Sequence, residues 1–164
     1  MKIEISKSTR FYKFPAKTTP QEIIKSSRSW IGTRFRYHGR IKINEKNRGG
    51  VDCLGLILGV ADELQAKKND KLLSFYDNIS YKKIPQKNQL RDAMDKYFTN
   101  INPKDILIGD IALFQINKEI QHLGILSNIG LIHCYIQAKG VVEHRLSGKT
   151  SSHPNSFCNT FTTR

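Results

Sequence analysis

The stretch Gly49-Gly50-Val51-Asp52-Cys53-Leu54-Gly55-Leu56 joins a glycine turn to a cysteine and the start of an apolar segment. From the cysteine onward, apolar residues recur at helical spacing, at Leu54, Leu56, Ile57, Val60, Ala61 and Leu64. The pattern predicts a largely buried helix that begins at Cys53. A thiol at a helix start lies beside free backbone amides and the positive end of the helix dipole. We therefore expect a lowered thiol pKa and a nucleophilic cysteine.

Other elements of the chain predict an α+β domain, with N-terminal helices packed on a central antiparallel sheet. Thr19, Pro20 and Glu22 form a helix entry, with Thr19 as the N-cap, and that helix is expected to run to Gly32. A further helix is expected over residues 89–98, after a long polar connection over residues 66–88. Strands are expected over residues 110–116, 123–127, 131–136 and 140–145.

Length and composition indicate one soluble domain over residues 1–164, with possible arms at residues 1–19 and about 148–164. The first arm is interpreted as an extended segment or an edge strand. No apolar run reaches membrane-spanning length, and the first residues lack the apolar core of a signal peptide. The three cysteines contain no CxxC pair, so a disulfide framework is not expected.

The net charge of +13 arises from 27 basic and 14 acidic side chains spread along the chain. Such a field attracts anionic polymers, including cell-wall peptides and glycans, but a solvated basic surface explains it equally well. Arg34, Arg36 and Arg40 border the cysteine in sequence and either attract substrate carboxylates or are plain surface charge. Nucleic acid is not expected as a substrate, because that interpretation rests on charge alone.

The segment Ser127-Asn128-Ile129-Gly130 predicts a hairpin turn that decides where two histidines point. With a two-residue loop, position 124 pairs with 133 and position 122 with 135, which places His122 and His133 on one face as diagonal neighbours. A three-residue loop would place them on opposite faces. Under the two-residue register, Cys134 points to the other face as a core cysteine.

Cys53 with two histidines suits nucleophilic catalysis, in which one imidazole takes the thiol proton and a further polar group orients that imidazole. We predict Cys53 as nucleophile, His122 as base and His133 as the orienting group. Isolated cysteines and histidines are more often structural than catalytic, so the prediction depends on the shared face. A zinc site from Cys53, His122, His133 and either His144 or His153 is an alternative, although its spacing matches no common structural zinc pattern.

Several short motifs resemble those of the NlpC-type cell-wall peptidases, which are papain-like cysteine enzymes of bacteria and phages. Those enzymes carry a helix followed by Gly-x-Pro-Tyr, an Asp-Cys-Ser-Gly-Leu motif, a Gly-Asp strand, a His-Val-Gly-Ile strand and a strand ending in Ile-His-Ala. The similar stretches here, in the same order over about residues 20 to 145, are Ser29-Trp30-Ile31-Gly32-Thr33-Arg34-Phe35, Asp52-Cys53-Leu54-Gly55-Leu56, Gly109-Asp110-Ile111-Ala112-Leu113-Phe114, His122-Leu123-Gly124-Ile125 and Leu131-Ile132-His133-Cys134.

The resemblance implies a papain-like NlpC-type fold and hydrolysis of amide bonds in peptidoglycan stem peptides, with neither cofactor nor metal. It also implies the same roles for Cys53, His122 and His133. The subgroup found among tail genes of phages and gene transfer particles is the most similar. This implies synthesis in the cytoplasm, association with phage-like tail proteins, and action in the periplasm or cell wall.

Substrate-binding positions follow from the same resemblance, with two departures from the usual motif. Phe35 stands where the family has a tyrosine bordering the cysteine, and Tyr37, expected on the same face of an extended strand, is a candidate to replace its hydroxyl. Leu54 replaces the serine after the cysteine. Asp52 either binds a substrate amine or caps the helix.

Two alternative functions remain. One is a catalytically silent tail or hub component, and the other is a papain-like acyltransferase or amidase.

Overall fold

A computed structural model describes residues 8–77, 88–115 and 121–146. Within these ranges the chain forms an α+β fold built on a six-stranded antiparallel sheet, as the sequence predicts. The strands of this sheet are β1 (Arg10–Lys13), β6 (Thr99–Ile101), β7 (Ile111–Gln115), β8 (Gln121–Leu126), β9 (Gly130–Tyr135) and β10 (Gly140–Arg145). Their order across the sheet is β10-β9-β8-β7-β1-β6.

The remaining elements are three helices and two short hairpins within the described ranges. The helices are α1 (Pro20–Arg28), α2 (Cys53–Glu63) and α3 (Gln89–Tyr97). The hairpins pair β2 (Arg40–Ile41) with β3 (Gly50–Val51), and β4 (Lys67–Lys68) with β5 (Lys71–Leu72). Two 3-10 turns lie at Leu73–Tyr76 and Pro103–Asp105. No helix in the described part of the chain is both long and apolar enough to cross a lipid bilayer.

Helix α1 begins as its sequence predicts but ends earlier. The Thr19 hydroxyl accepts from the Glu22 amide at 3.3 Å, and the Glu22 carboxylate accepts from the Thr19 amide at 2.9 Å. This reciprocal capping satisfies two backbone donors that the helix itself leaves open. The helix stops at Arg28, and the chain then turns through Gly32, which has a φ of 91°. The predicted end at Gly32 is therefore too late by one turn.

Helix α2 packs against the sheet and α1, where it contributes Leu56, Ile57, Val60 and Ala61 to the main apolar core. Its Gly59 lies directly against the Trp30 ring, so that an added Cβ would come within 2.2 Å of the indole. A larger residue at this position would displace the Trp30 ring. The sequence prediction of a buried helix beginning at Cys53 is confirmed.

The large sheet has an apolar cluster on each face, because alternate residues of a strand point in opposite directions. Leu123 and Ile125 of β8 belong to the cluster that contacts the helices. Phe114 and Leu126 belong to the cluster on the other face. His122 pairs with Phe114 across β7 and β8, so it belongs to the face without α2.

The first strand confirms an extended segment within residues 1–19 but corrects its placement as an arm or an edge strand, and residues 1–7 lie outside the described residues. Arg10–Lys13 pairs with β7 on one side and with β6 on the other, so it is an inner strand of the sheet. Tyr12 is 0% exposed, and its hydroxyl donates to Asp95 of α3 at 2.7 Å. Both partner strands follow about 85 residues or more later, which local pattern does not reveal. The second proposed arm, residues 148–164, lies outside the described residues.

Candidate active site

Cys53 is the first residue of α2, directly after the short strand β3. The residue is partly exposed. The backbone amides of Leu123, Leu54 and Cys53 itself lie within hydrogen-bonding reach of its sulfur. Strands β8 and β9 pair through Ile125 with Ile132 and through Leu126 with Leu131. Leu123 lies before these pairs on β8, and its amide reaches the Cys53 sulfur.

The protonation state of Cys53 differs from the sequence prediction. Burial and the nearby Asp52 carboxylate raise the pKa of Cys53 to about 12, while the three amides oppose that rise. The predicted lowering of the thiol pKa by the helix start is therefore wrong. The loss of hydration around the sulfur outweighs the favourable dipole, since a thiolate is costly where water is excluded. Cys53 rests as a neutral thiol and needs a base.

The hairpin between β8 and β9 has the predicted two-residue loop. Ile125 pairs with Ile132, and the Ser127 amide donates to the Gly130 carbonyl at 2.9 Å. His122 and His133 consequently share a face, and His122 Nε2 lies 2.8 Å from His133 Nδ1. The two rings are nearly perpendicular, with an interplanar angle of 83°. The predicted pairing of the two histidines is confirmed.

Aromatic side chains surround this histidine pair. Phe114 contacts the His122 ring edge-on with centroids 5.3 Å apart, and Tyr135 stacks on the His133 ring at 5.6 Å. Burial lowers the pKa of His122 well below its usual value and that of His133 to about 3, with a smaller contribution from the neighbouring histidine in each case. Both imidazoles are neutral near pH 7, which is the state that a general base requires.

The His122 ring presents one nitrogen for contact with a thiol. Its Nε2 is engaged by His133, so Nδ1 is the atom left to receive a proton. In this resting geometry, no hydrogen bond joins Cys53 to His122 among the described residues. The Leu123 amide, which belongs to the residue after His122, reaches the sulfur, whereas the His122 ring lies with Phe114 on the other face of the sheet. Catalytic hydrogen bonds are often open without substrate.

His144 on β10 extends the pair, and sequence reasoning assigned it no catalytic role. Its Nδ1 lies 2.7 Å from His133 Nε2. Val142 pairs with His133 across β9 and β10, so His144 is the diagonal neighbour on the same face. We refer to His122, His133 and His144 together as the histidine row. The spacing of eleven residues between successive members, combined with the register of two antiparallel hairpins, was a usable signal.

The zinc alternative does not fit this arrangement. Both ring nitrogens of His133 are occupied by the neighbouring imidazoles. Within residues 8–77, 88–115 and 121–146, no three His, Cys, Asp or Glu side chains converge as a metal site. His153, the other residue considered for this site, lies outside the described residues.

Asp52 caps α2 and holds the loop before it. Its Oδ1 accepts from the Gly55 amide at 2.8 Å, and its Oδ2 accepts from the His38 amide at 2.8 Å. Arg40 donates to Asp52 at 3.0 Å and to both oxygens of Asp77 at 2.6 and 3.0 Å. We call Arg40, Asp52 and Asp77 the arginine network. The capping interpretation of Asp52 is confirmed, and binding of a substrate amine stays a prediction.

Arg40 is thus committed to internal ion pairs, which corrects its placement among residues that attract substrate. Arg34 also turns inward, where its Nε donates to the Gly49 carbonyl at 2.8 Å. The two side chains therefore stabilise the loops that carry the glycine turn.

Phe35 and Tyr37 lie beside β3, but not on one extended strand. Phe35 forms an isolated bridge with Val51, two residues before Cys53. Residues 36–39 form a turn closed by the Gly39 amide and the Arg36 carbonyl at 3.0 Å. The expected extended conformation of Tyr37 is therefore wrong. Its ring still contacts Phe35 edge-on at 4.9 Å and is 39% exposed. Substrate binding by either residue stays a prediction.

Cys134 has the predicted core position. It is buried and donates from Sγ to the Val51 carbonyl at 3.0 Å.

Comparison with known proteins gives no independent assignment, since no protein-family model matches the chain and no curated protein matches it significantly.

Proposed function

We propose that this chain is a cysteine peptidase that hydrolyses amide bonds in peptidoglycan stem peptides. The observation that carries the proposal is the neutral, hydrogen-bonded pair of His122 on β8 and His133 on β9, together with the Leu123 amide of β8 that reaches the Cys53 thiol. A protonated thiol and a neutral buried imidazole are the reactants of general-base-assisted nucleophilic attack. The motif order similar to that of NlpC-type enzymes supports the substrate class and a papain-like fold.

The proposed chemistry requires His122 Nδ1 to come within reach of the Cys53 thiol, which it does not contact at rest, and it begins when Nδ1 takes the thiol proton. The sulfur attacks the peptide carbonyl carbon, and the carbonyl oxygen becomes an oxyanion. The Cys53 amide is one donor for that oxyanion, and such a donor is worth about 3 kcal/mol. When the carbon–nitrogen bond breaks, the leaving amine takes the proton from His122.

The second half of the reaction releases the acyl group. A water molecule gives a proton to His122 and attacks the thioester, and the sulfur leaves and regains that proton. In both halves, His133 Nδ1 accepts a hydrogen bond from His122 Nε2 and stabilises the transient imidazolium. His133 is thus the orienting group of the proposed triad.

The net charge of +13 supports an anionic polymer as substrate, because stem peptides carry free carboxylates. The similarity to enzymes of phage tails and gene transfer particles supports a second element of the proposal. The protein would be synthesised in the cytoplasm, assemble with phage-like tail proteins, and open the cell wall locally.

Digestion of purified peptidoglycan tests the proposal. Wild-type protein, Cys53→Ala and Cys134→Ser are incubated with several wall types, and the released muropeptides are read by mass spectrometry. We expect fragments from the wild type and from Cys134→Ser, whose hydroxyl retains a donor for Val51. Cys53→Ala should release none. The masses of the fragments identify the bond.

Absence of fragments from folded wild-type protein on every wall would contradict the peptidase proposal. Fragments from Cys53→Ala at the wild-type rate would contradict the assignment of the nucleophile. In the first case, a papain-like acyltransferase or a silent tail component becomes the better interpretation.

A further inference from the structure

The histidine row continues one ring beyond the proposed triad. His133 is 0% exposed and both its nitrogens are bonded, at 2.8 Å to His122 and at 2.7 Å to His144. His144 is only partly buried and is the member of the row nearest to solvent. The rings of His133 and His144 are tilted by 56°, with centroids 4.9 Å apart.

Hydrogen counting restricts how three neutral rings can be joined. Each neutral imidazole carries one N–H donor and one acceptor nitrogen. If His133 donates from Nε2 to His144, its Nδ1 must accept from His122 Nε2. His122 then has a bare Nδ1, which can act as a base. If His144 donates instead, every direction in the row reverses and His122 Nδ1 carries a hydrogen.

We propose that His144 is a positioning residue that holds the histidine row in the direction required for catalysis. It does so by accepting the His133 Nε2 hydrogen at its own Nδ1, so that His122 keeps Nδ1 free for the Cys53 proton. The inference rests on the proposed function for its catalytic consequence. The direction of the row itself does not depend on which substrate is cleaved.

Two substitutions separate acceptor chemistry from packing. His144→Asn places a side-chain oxygen near the position of Nδ1 and retains an acceptor for His133. His144→Leu removes the acceptor and keeps a side chain of moderate size. We expect alkylation of Cys53 by iodoacetamide at neutral pH to fall about tenfold in the leucine variant, the equivalent of one lost hydrogen bond. The asparagine variant should stay within about threefold of wild type.

Nitrogen-15 NMR shows which ring nitrogen of each imidazole carries the hydrogen. It therefore reports the direction of the hydrogen bonds in the histidine row without an activity assay. Wild-type His122 and His133 should both be protonated at Nε2 near pH 7. The leucine variant should show protonation at Nδ1 of His133 in part of the molecules, and the asparagine variant should resemble wild type. Circular dichroism shows whether each variant is folded.

Three results would overturn the inference. One is wild-type His122 protonated at Nδ1, which needs no variant and holds even if His144→Leu fails to fold. Another is a folded leucine variant with wild-type tautomers and an unchanged alkylation rate. The third is an equal loss in both variants with unchanged tautomers, which indicates a packing role. Alkylation and NMR need no peptidoglycan, so failure of the peptidase assay leaves this test valid.

Discussion

The arginine network and the histidine row are two polar networks of the candidate site, and they differ in charge. The arginine network lies at the start of α2 and joins one guanidinium to two carboxylates at 2.6 to 3.0 Å. The histidine row crosses β8, β9 and β10 and consists of imidazoles whose pKa values are all lowered by burial. One network carries formal charge near the thiol, and the other is neutral.

The difference indicates how the site divides its tasks. The charged network fixes backbone, because Asp52 caps α2 and binds the His38 amide of the preceding turn. Its carboxylate also helps to raise the pKa of Cys53. Burial lowers the pKa values of His122 and His133, so these imidazoles remain neutral when the pH falls below 6.5. In the proposed mechanism, the nucleophilicity of Cys53 therefore depends on the base rather than on a preformed thiolate.

The largest effect should come from removing the base. His122→Ala is expected to reduce muropeptide release by about 10³-fold or more, as removal of a member of a catalytic triad does. Cys134→Ser is the matched control on the adjacent strand β9. Release by His122→Ala at a rate near that of wild type would show that the histidine row is not the source of the base.

Acid should destabilise the protein through the histidine row. The folded pKa of His133 is about 3 and that of His122 is also lowered, whereas an unfolded histidine titrates near 6.5. Below pH 6.5 the unfolded chain binds more protons, so the free energy of unfolding decreases as the pH falls toward the folded pKa values. The expected loss is about 1.4 kcal/mol per pH unit for each fully buried histidine.

Urea unfolding at pH 7.5, 6.5 and 5.5 measures this dependence. His133→Asn should have a flatter pH dependence than wild type, since one of the depressed groups is gone. An identical slope in the two proteins would contradict the assignment of the acid sensitivity to His133.

The arginine network should contribute to stability rather than to the base. Asp52→Ala removes the cap of α2 and the acceptor for the His38 amide, and we expect a loss of about 2–3 kcal/mol in the free energy of unfolding. Asp52→Asn keeps an oxygen for the Gly55 amide and should lose about 1 kcal/mol. Chemical denaturation compares the two variants, and equal losses would contradict the capping role.

The smallest effect concerns the thiol itself. Asp52→Asn removes a negative charge that raises the pKa of Cys53, so the pKa should fall and thiolate should be more abundant. Alkylation of Cys53 at pH 9 should be faster by a few-fold, and by at most about tenfold. A slower reaction in a folded variant would show that the carboxylate assists the thiol instead.

Local sequence signals predicted the parts of the fold that local physics determines. The capping box of Thr19 and Glu22, the start of α2 at Cys53 and the two-residue hairpin depend on neighbouring residues, and all are confirmed. The register of the β8–β9 hairpin was sufficient to predict that His122 and His133 lie next to each other. Asp52 was predicted with two possible roles, and the structure shows the capping role.

Features that depend on distant contacts were missed. Strand β1 pairs with β6 and β7 far along the chain, so its sequence looks like an arm until the sheet is assembled. The direction in which the pKa of Cys53 shifts depends on how deeply the surrounding elements bury the sulfur. The place of His144 depends on the registers of two successive hairpins, β8–β9 and β9–β10.

The proposed mechanism depends on activation of the neutral Cys53 thiol by His122. The most direct test is the rate of Cys53 alkylation by iodoacetamide at pH 7, followed by mass spectrometry, in wild type and in folded His122→Ala. Since a thiol with a pKa of about 12 contains little thiolate at that pH, we expect a rate about 10²-fold lower without the base. Equal rates in the two proteins would contradict it.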